Sequence, residues 1–256
     1  LANGNTIMPP IQRLDVHKYN GETDVKAAYI EGLDSYAIKI ASGFFDNPKL
    51  GIPSSNGMMI LLDSKTGVIK SILLDEGYLT DVRTAIAGSI AAKYLSNPES
   101  TKAGIIGAGL QAKLQLEALK LVRPISTVFI WSRDREKLIN FEREIQYLGL
   151  DIKKCSSIEE LVKLSEIVVT TTPSKSPLIK SDWLKKGLHI TAMGSDAEEK
   201  NEIDPDIIKK CDTYIPDSQP QTAVLGELHH AIKANIISIN ENFNEIGEVI
   251  LNPALG

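Results

Sequence analysis

The sequence predicts an α/β protein in two domains, a smaller and largely antiparallel α+β domain over residues 1–99 and a parallel-sheet domain over residues 100–256. Three observations lead there. From Thr101 onward, short apolar runs alternate with helical patterns; before it, strands of alternating polarity lie between glycines and prolines; and Ser96-Asn97-Pro98-Glu99-Ser100 breaks the chain between the two regimes.

In the first domain the punctuation is Gly21, Gly43, Pro48, Gly51, Pro53 and Gly57, and the clearest strands are residues 36–41 and 58–63. Residues 80–94 follow as a helix with an alanine-rich face and Thr80 as its N-cap candidate. In the second domain residues 103–107, 127–131, 167–171 and 189–193 read as buried parallel strands. Residues 112–122 and 135–148 carry apolar side chains at helical spacing, and 204–210 is a shorter helix behind Pro205. No repeat or low-complexity tract interrupts this rhythm.

Composition narrows the function classes. With 43% hydrophobic residues in 256, the chain can bury a sizeable core. Its 28 Lys+Arg against 33 Asp+Glu, with no long run of either sign, argue against nucleic acid as a partner. Cys155 and Cys211 lack CxxC spacing, which excludes a disulfide scaffold and predicts buried thiols in a reducing compartment. No stretch reaches the roughly 18 apolar residues of a membrane span and no leader is visible, so a cytoplasmic location is expected. His229 and His230, with His17 and His189 isolated, lack zinc-ligand spacing, and no metal is expected. The chain starts at Leu1 without a methionine and stops after a half-finished helix and turn, as an excerpt of a longer protein would.

The strongest motif is Lys102-Ala103-Gly104-Ile105-Ile106-Gly107-Ala108-Gly109-Leu110-Gln111-Ala112, a strand running through Gly-x-Gly-x-x-Ala into a helix. This is the setting of a Rossmann-type dinucleotide turn. Gly107 permits the tight turn, Gly109 lets a pyrophosphate approach the backbone, Ala112 lets helix and strand pack closely, and the helix N-terminus faces the anion. The second strand ends in Ser132 and Arg133, where an NAD site usually places an acid. A hydroxyl and a guanidinium there suit a 2′-phosphate and favour NADP over NAD; the bland alternative is a solvated loop with Asp134 capping the next helix.

Other charged residues are more ambiguous. Lys39 lies on the opposite strand face from Ile38 and Ile40, either solvated or as an inward-pointing cation. Arg83 falls in the expected first helical turn, where the macrodipole disfavours a cation and a bound carboxylate would offset it. Arg13 carries little signal of its own. Asp196 follows the strand and turn ending in Gly194-Ser195, at the carboxyl edge of the parallel sheet; it is either an acid–base group or the cap of a turn. Lys200 could pair with Asp196, contact a cofactor phosphate or be solvated.

Taken together, Leu79-Thr80-Asp81-Val82-Arg83-Thr84-Ala85, Ile106-Gly107-Ala108-Gly109-Leu110-Gln111-Ala112, Ala192-Met193-Gly194-Ser195-Asp196 with Lys200, and Pro220-Gln221-Thr222 with Gly226-Glu227 resemble the ornithine cyclodeaminase and mu-crystallin family over nearly the whole chain. Asp24-Val25-Lys26-Ala27-Ala28-Tyr29, Gly43-Phe44-Phe45-Asp46-Asn47-Pro48-Lys49 and the stretch from Gly194 to Ile203 are most similar to its ectoine-utilisation branch. The resemblance implies a Rossmann domain joined to a substrate domain that also forms a homodimer, with further elements before Leu1 and after Gly256.

It also implies roles. Arg13, Lys39 and Arg83 match residues that hold a substrate α-carboxylate, and Lys39 and Asp196 match catalytic positions, Asp196 as acid or base. Gly107, Gly109, Leu110, Gln111 and Ala112 match the dinucleotide turn, with Ser132 and Arg133 at the ribose. Arg83, Thr171, Gly194 and Lys200 complete the cofactor positions. The implied activity is hydride transfer at the C–N bond of an amino or imino acid with NADP or NAD, as a cyclodeaminase, an imine reductase or an alanine-dehydrogenase-like enzyme. A non-catalytic ligand-binding protein is the alternative from another class. Lys26 stands where family cyclodeaminases place an acid for the distal amine of ornithine; a lysine would repel a diamine, which favours a smaller or more acidic substrate.

Overall fold

The computed structural model describes residues 5–256, and by its contacts the chain divides into two compact units between Arg83 and Thr84. The first unit is built on β1 (Thr6–Ile7), β2 (Gln12–Val16), β3 (Gly21–Ile30), β4 (Ser35–Phe44), β5 (Ser55–Asp63) and β6 (Ile69–Leu73). They form one antiparallel sheet in the order β1-β3-β4-β5-β6, with β2 also paired to β3. Register settles which side chains share a face. Lys26 pairs with Lys39 and Asp24 with Ala41 across β3 and β4, while Arg13 of β2 pairs with Asp24. Alternate residues along a strand point the same way, so Arg13, Glu22, Asp24, Lys26 and Lys39 line one face, and Val25, Ile38 and Ile40 the other.

Helix α1 (Tyr78–Leu95) follows β6. It begins two residues before the expected cap Thr80, because Asp75 does the capping: its carboxylate accepts from Leu79 N at 2.7 Å, and Gly77 turns the chain at φ +93°. Arg83 therefore lies in the second helical turn rather than the first, and the macrodipole argument for an anion beside it does not apply.

The second unit, Thr84–Gly256, is a parallel sheet covered on both faces. Its elements are β7 (Lys102–Ile106), α2 (Leu110–Lys120), β8 (Thr127–Trp131), α3 (Arg135–Glu144), β9 (Asp151–Lys154), α4 (Ile158–Leu164), β10 (Ile167–Thr170), β11 (His189–Ala192), α5 (Asp206–Lys210), α6 (Gln219–Leu225), α7 (Glu227–Lys233) and α8 (Ile246–Leu251). The strand order is β11-β10-β7-β8-β9, every pair parallel. Period-two alternation splits each strand between two cores: Ile105, Ile130 and Val169 pack with Ala112, Leu116 and Phe141, whereas Ile106, Phe129 and Val168 pack with Leu161, Val162 and Leu228. From β7 the chain runs outward first through β8 and β9, then through β10 and β11. Their carboxyl ends therefore form the switch point at which such sheets bind ligands.

The later turns of α1 belong to this unit. Gln115 Nε2 donates to Thr84 O at 3.0 Å, and Arg123 donates to the carbonyls of Ala92, Lys93 and Ser96 at 2.7, 2.7 and 2.9 Å. Contacts thus divide the chain within the helix, upstream of the composition change at residues 96–100. The expected 135–148 helix is α3 followed by a tight turn, Gln146–Leu148, closed by Gly149 at φ +65°. Cys155 is buried, Cys211 only half-buried, and both are free thiols. Among the described residues no helix is long and apolar enough to cross a membrane, and no group of three His, Cys, Asp or Glu could hold a metal.

Candidate active site

In the first unit the structure decides the orientation of Lys39. It is 8% exposed, the sole fully buried residue of β4, while Ile38 and Ile40 on the opposite face are half-buried. Its ammonium makes no hydrogen bond or ion pair among the described residues. Burial pushes its pKa down to about 8, helped by the charges of Arg83 and Lys26 and opposed by those of Asp24 and Asp81. Arg83 is exposed and likewise without a partner among the described residues. Lys26 is held 3.3 Å from Asp24 Oδ2, whose other oxygen is buried with no hydrogen bond. Arg13 is occupied: its guanidinium pairs with Asp15 at 3.0 Å and also with Glu22. Lys26 on the same sheet face and Arg83 of α1 thus both lie within electrostatic reach of Lys39, whereas Arg13 is balanced by acids. A buried ammonium without an acceptor, with a second unpaired cation nearby, suits an anionic ligand.

In the second unit the glycine-rich turn runs from the end of β7 into α2. Gly107 sits at φ +125°, and a Cβ there would come 2.5 Å from Thr171 Oγ1, so glycine is required by both conformation and close packing. Gly109 differs. Its φ of −104° suits any residue, and a Cβ would meet no protein atom within 4 Å. That open space, at a helix N-cap without any side-chain hydrogen bond, fits a pyrophosphate on the backbone. Leu110 is 56% exposed and Gln111 half-buried beside it, while Ala112 is fully buried under the sheet. Thr171 donates through both N and Oγ1 to Ile106 O, at 2.9 and 3.3 Å, and so ties β10 to the turn.

At the end of β8, Ser132 Oγ accepts from Asp134 N at 3.3 Å, and Asp134 caps α3 by accepting from Glu136 N and Lys137 N. The capping role foreseen for Asp134 is real. It leaves Arg133 exposed and without a partner among the described residues.

Asp196 lies in the loop after β11, two-thirds exposed, with Lys200 Nζ 2.5 Å from its Oδ1. Ser195 Oγ donates to Lys200 O at 2.5 Å, and His230 Nε2 lies 2.7 Å from the same carbonyl, so that nitrogen must carry a proton. Gly194 is needed for a reason unrelated to any ligand: a Cβ would come 2.2 Å from Thr172 O and 2.7 Å from the Glu202 carboxylate.

Sequence reasoning missed Glu202 and Glu227. Glu202 is fully buried and Glu227 nearly so. Burial raises the pKa of Glu202, and it pushes Glu227 up to about 7 with added repulsion from Glu202. Both stood inside the motifs that carried the resemblance. The available signal was slight, a carboxylate followed at once by an apolar residue, Ile203 after Glu202 and Leu228 after Glu227.

The chain is similar along nearly its whole length to known proteins. The chain is 54% identical over 261 residues to an uncharacterized cyclodeaminase of Sinorhizobium fredii, covering 100% of this chain and 78% of that protein. Among solved structures, the Thermococcus litoralis Δ1-pyrroline-2-carboxylate reductase in complex with NADH and L-proline superposes with a TM-score of 0.91 at 30% identity, covering 97% of this chain and 77% of that one. An archaeal alanine dehydrogenase dimer with bound NAD follows with a TM-score of 0.89 at 32% identity, covering 97% and 75%. The family model described as ornithine cyclodeaminase/mu-crystallin matches residues 1–254. With that match spanning nearly every residue, the chain belongs to the ornithine cyclodeaminase/mu-crystallin family.

Proposed function

We propose that this chain is a nicotinamide-dependent oxidoreductase acting at the C–N bond of an amino or imino acid, and that reduction of a 2-imino acid describes it better than cyclisation of L-ornithine. The observation that carries the reading is Lys39, a buried ammonium with no acceptor of its own beside Lys26 and Arg83. Lys39 and Arg83 bind the substrate α-carboxylate. Arg13 joins them only by releasing Asp15 or Glu22. Lys26, opposite Lys39 in the register, repels a second amine and favours a short or acidic side chain.

The turn from Gly107 to Ala112 holds the dinucleotide, with Thr171, Gly194 and Lys200 at its edge and Ser132 and Arg133 at the ribose. Bound there, a reduced nicotinamide would supply a hydride, one proton with two electrons, to the carbon of a C=N bond. Asp196 relays to the nitrogen a proton drawn from the Lys200 ammonium with which it pairs, Lys200 regaining it from solvent, and in the reverse direction its carboxylate accepts the proton. The net change is imine plus reduced cofactor plus proton giving amine plus oxidised cofactor. The half-buried apolar face of Val25, Ile38 and Ile40 is suited to a homodimer contact, which sedimentation velocity on the same preparation would show.

The test is an assay of the protein with NADPH or NADH, ammonia or methylamine, and a panel of 2-oxo acids that includes dicarboxylic ones, run beside L-ornithine with NAD. Loss of reduced cofactor with the 2-oxo acids is the expected outcome. Proline formed from ornithine without accumulated NADH would overturn the choice of substrate in favour of cyclodeamination. NADH or NADPH formed from an amino acid would make the dehydrogenase direction the dominant one. Cofactor binding with no turnover anywhere would overturn the catalytic reading and favour a binding protein.

A further inference from the structure

Glu202 makes four hydrogen bonds through one carboxylate. Its Oε1 accepts from Thr172 N and Thr172 Oγ1 at 2.6 and 2.7 Å, and its Oε2 accepts from Thr170 Oγ1 and Gly194 N at 2.6 and 2.7 Å. One oxygen therefore holds the segment leaving β10 and the other joins the end of β10 to the segment leaving β11. No cation is among these partners. An apolar side chain would fill the same space without the cost of burying an acid, so packing alone is a poor reason for a glutamate here.

The connectivity supplies a better one. Gly194 opens the loop that carries Asp196, and Glu202 stands two residues past Lys200, the residue paired with Asp196. The loop is thus closed on itself: Gly194 N donates to the Glu202 side chain, Ser195 Oγ donates to Lys200 O, and Lys200 Nζ donates to Asp196. Beneath it, Glu227 accepts from Glu202 N at 2.8 Å and from Asn201 Nδ2 at 2.6 Å, which fixes the base of the loop to the start of α7.

We infer that Glu202 is a positioning residue: a buried carboxylate clamp that sets the Gly194-to-Lys200 loop, and through it the Asp196 carboxylate, against the carboxyl ends of β10 and β11. It touches neither substrate nor cofactor. The inference rests on the reading of Asp196 as the proton-transfer group.

Glu202→Gln tests it. An amide keeps a single acceptor oxygen, so it can satisfy Gly194 N or Thr172 N but not both. We expect kcat to fall by about tenfold or more, as for a site loosened by about an ångström, with KM within about threefold and a smaller loss of NADH affinity than of kcat, because Gly194 and Lys200 at the cofactor edge move with the loop. Amide hydrogen exchange without ligand should accelerate over residues 193–200 and not over β8 or β9. Arg123→Leu is the control, because it removes buried bonds to α1 and lowers the melting temperature away from the loop; it should keep wild-type kcat well below its own transition.

Unchanged kcat and loop exchange in Glu202→Gln would overturn the clamp, and so would an Arg123→Leu enzyme that loses kcat in the same proportion to its lost stability. If the wild type turns over no substrate, the reaction reading and the positioning role for Asp196 fall together, whereas the exchange measurement still decides whether the clamp holds the loop. Should Glu202→Gln fail to fold, Thr172→Val removes one donor and spares the carboxylate, with about a twofold to fivefold loss of kcat expected in place of the larger one.

Discussion

Lys39 and Asp196 divide the proposed chemistry at the scale of single residues, and each can be tested alone. Carboxylate binding needs the Lys39 ammonium, and its pKa is pushed down to about 8, so affinity should be greatest below pH 8 and decline as pH rises through that value. The same depression costs folding stability while Lys39 is charged, a cost relieved as pH rises from 8 toward the ordinary 10.5. Calorimetric titration with a 2-hydroxy acid should therefore weaken above pH 8 in the wild type, and Lys39→Met should bind about tenfold or more weakly with that pH dependence gone. A variant that keeps the wild-type pH profile would show that the anion binds elsewhere. Asp196→Asn should abolish turnover and leave NADH affinity within about threefold, since its carboxylate moves a proton and holds no part of the cofactor. Arg133 is open to the other nucleotide test: Arg133→Ala should erase a preference for NADPH over NADH while NADH affinity stays constant, and an unchanged ratio of the two would remove it from the ribose site.

The elements depend on close approaches that leave little room for substitution. Gly104 lies mid-strand in β7, where a Cβ would stand 2.4 Å from both Leu161 Cδ2 and Ser165 Oγ. Gly104→Ala should force α4 away from the sheet and cost about 1–3 kcal/mol of stability, read as a lower denaturant midpoint. The four strands foreseen from Thr101 onward were legible because burial on both faces of a parallel sheet leaves uninterrupted apolar runs. The fifth, β9, escaped notice because Asp151-Ile152-Lys153-Lys154 is a polar edge strand that buries no continuous run. The start of α1 was misjudged because Thr80 and Asp75 are both good caps, and only the turn at Gly77 selects the earlier one. For Lys39, alternation told which residues share a face but not which face is covered. Glu202 and Glu227 were hidden for a related reason: a carboxylate on a loop or at the start of a helix normally reads as solvated, and its burial depends on donors from Thr170, Thr172, Asn201 and Gly194 that only the fold assembles.

Buried titratable groups in the second unit give the molecule a pH profile in which two effects oppose each other. His189, at the start of β11 with Nε2 2.9 Å from Thr191 Oγ1, is pushed down to about 4 by burial and by the charge of Arg123. The unfolded chain therefore binds the extra proton between about pH 4 and 6.5, and over that window His189 makes stability rise with pH. Glu227 does the reverse. With its pKa pushed up from 4.5 to about 7, the folded state holds the extra proton, so stability from this group is present below pH 4.5 and lost as pH rises to 7. Between pH 4.5 and 6.5 the slopes offset each other, and removing either group should uncover the other. Relative to wild type, Glu227→Gln should gain stability progressively from pH 4.5 to 7, and His189→Asn should lose it progressively from pH 4 to 6.5. Urea midpoints measured at half-unit pH steps for the three proteins would show two difference curves of opposite sign. Two flat curves would mean that neither burial shifts proton affinity as described, and the neutral imidazole of His189 and the protonated Glu227 below pH 7 would both have to be abandoned; two sloping curves of the same sign would overturn whichever group runs against its expected direction.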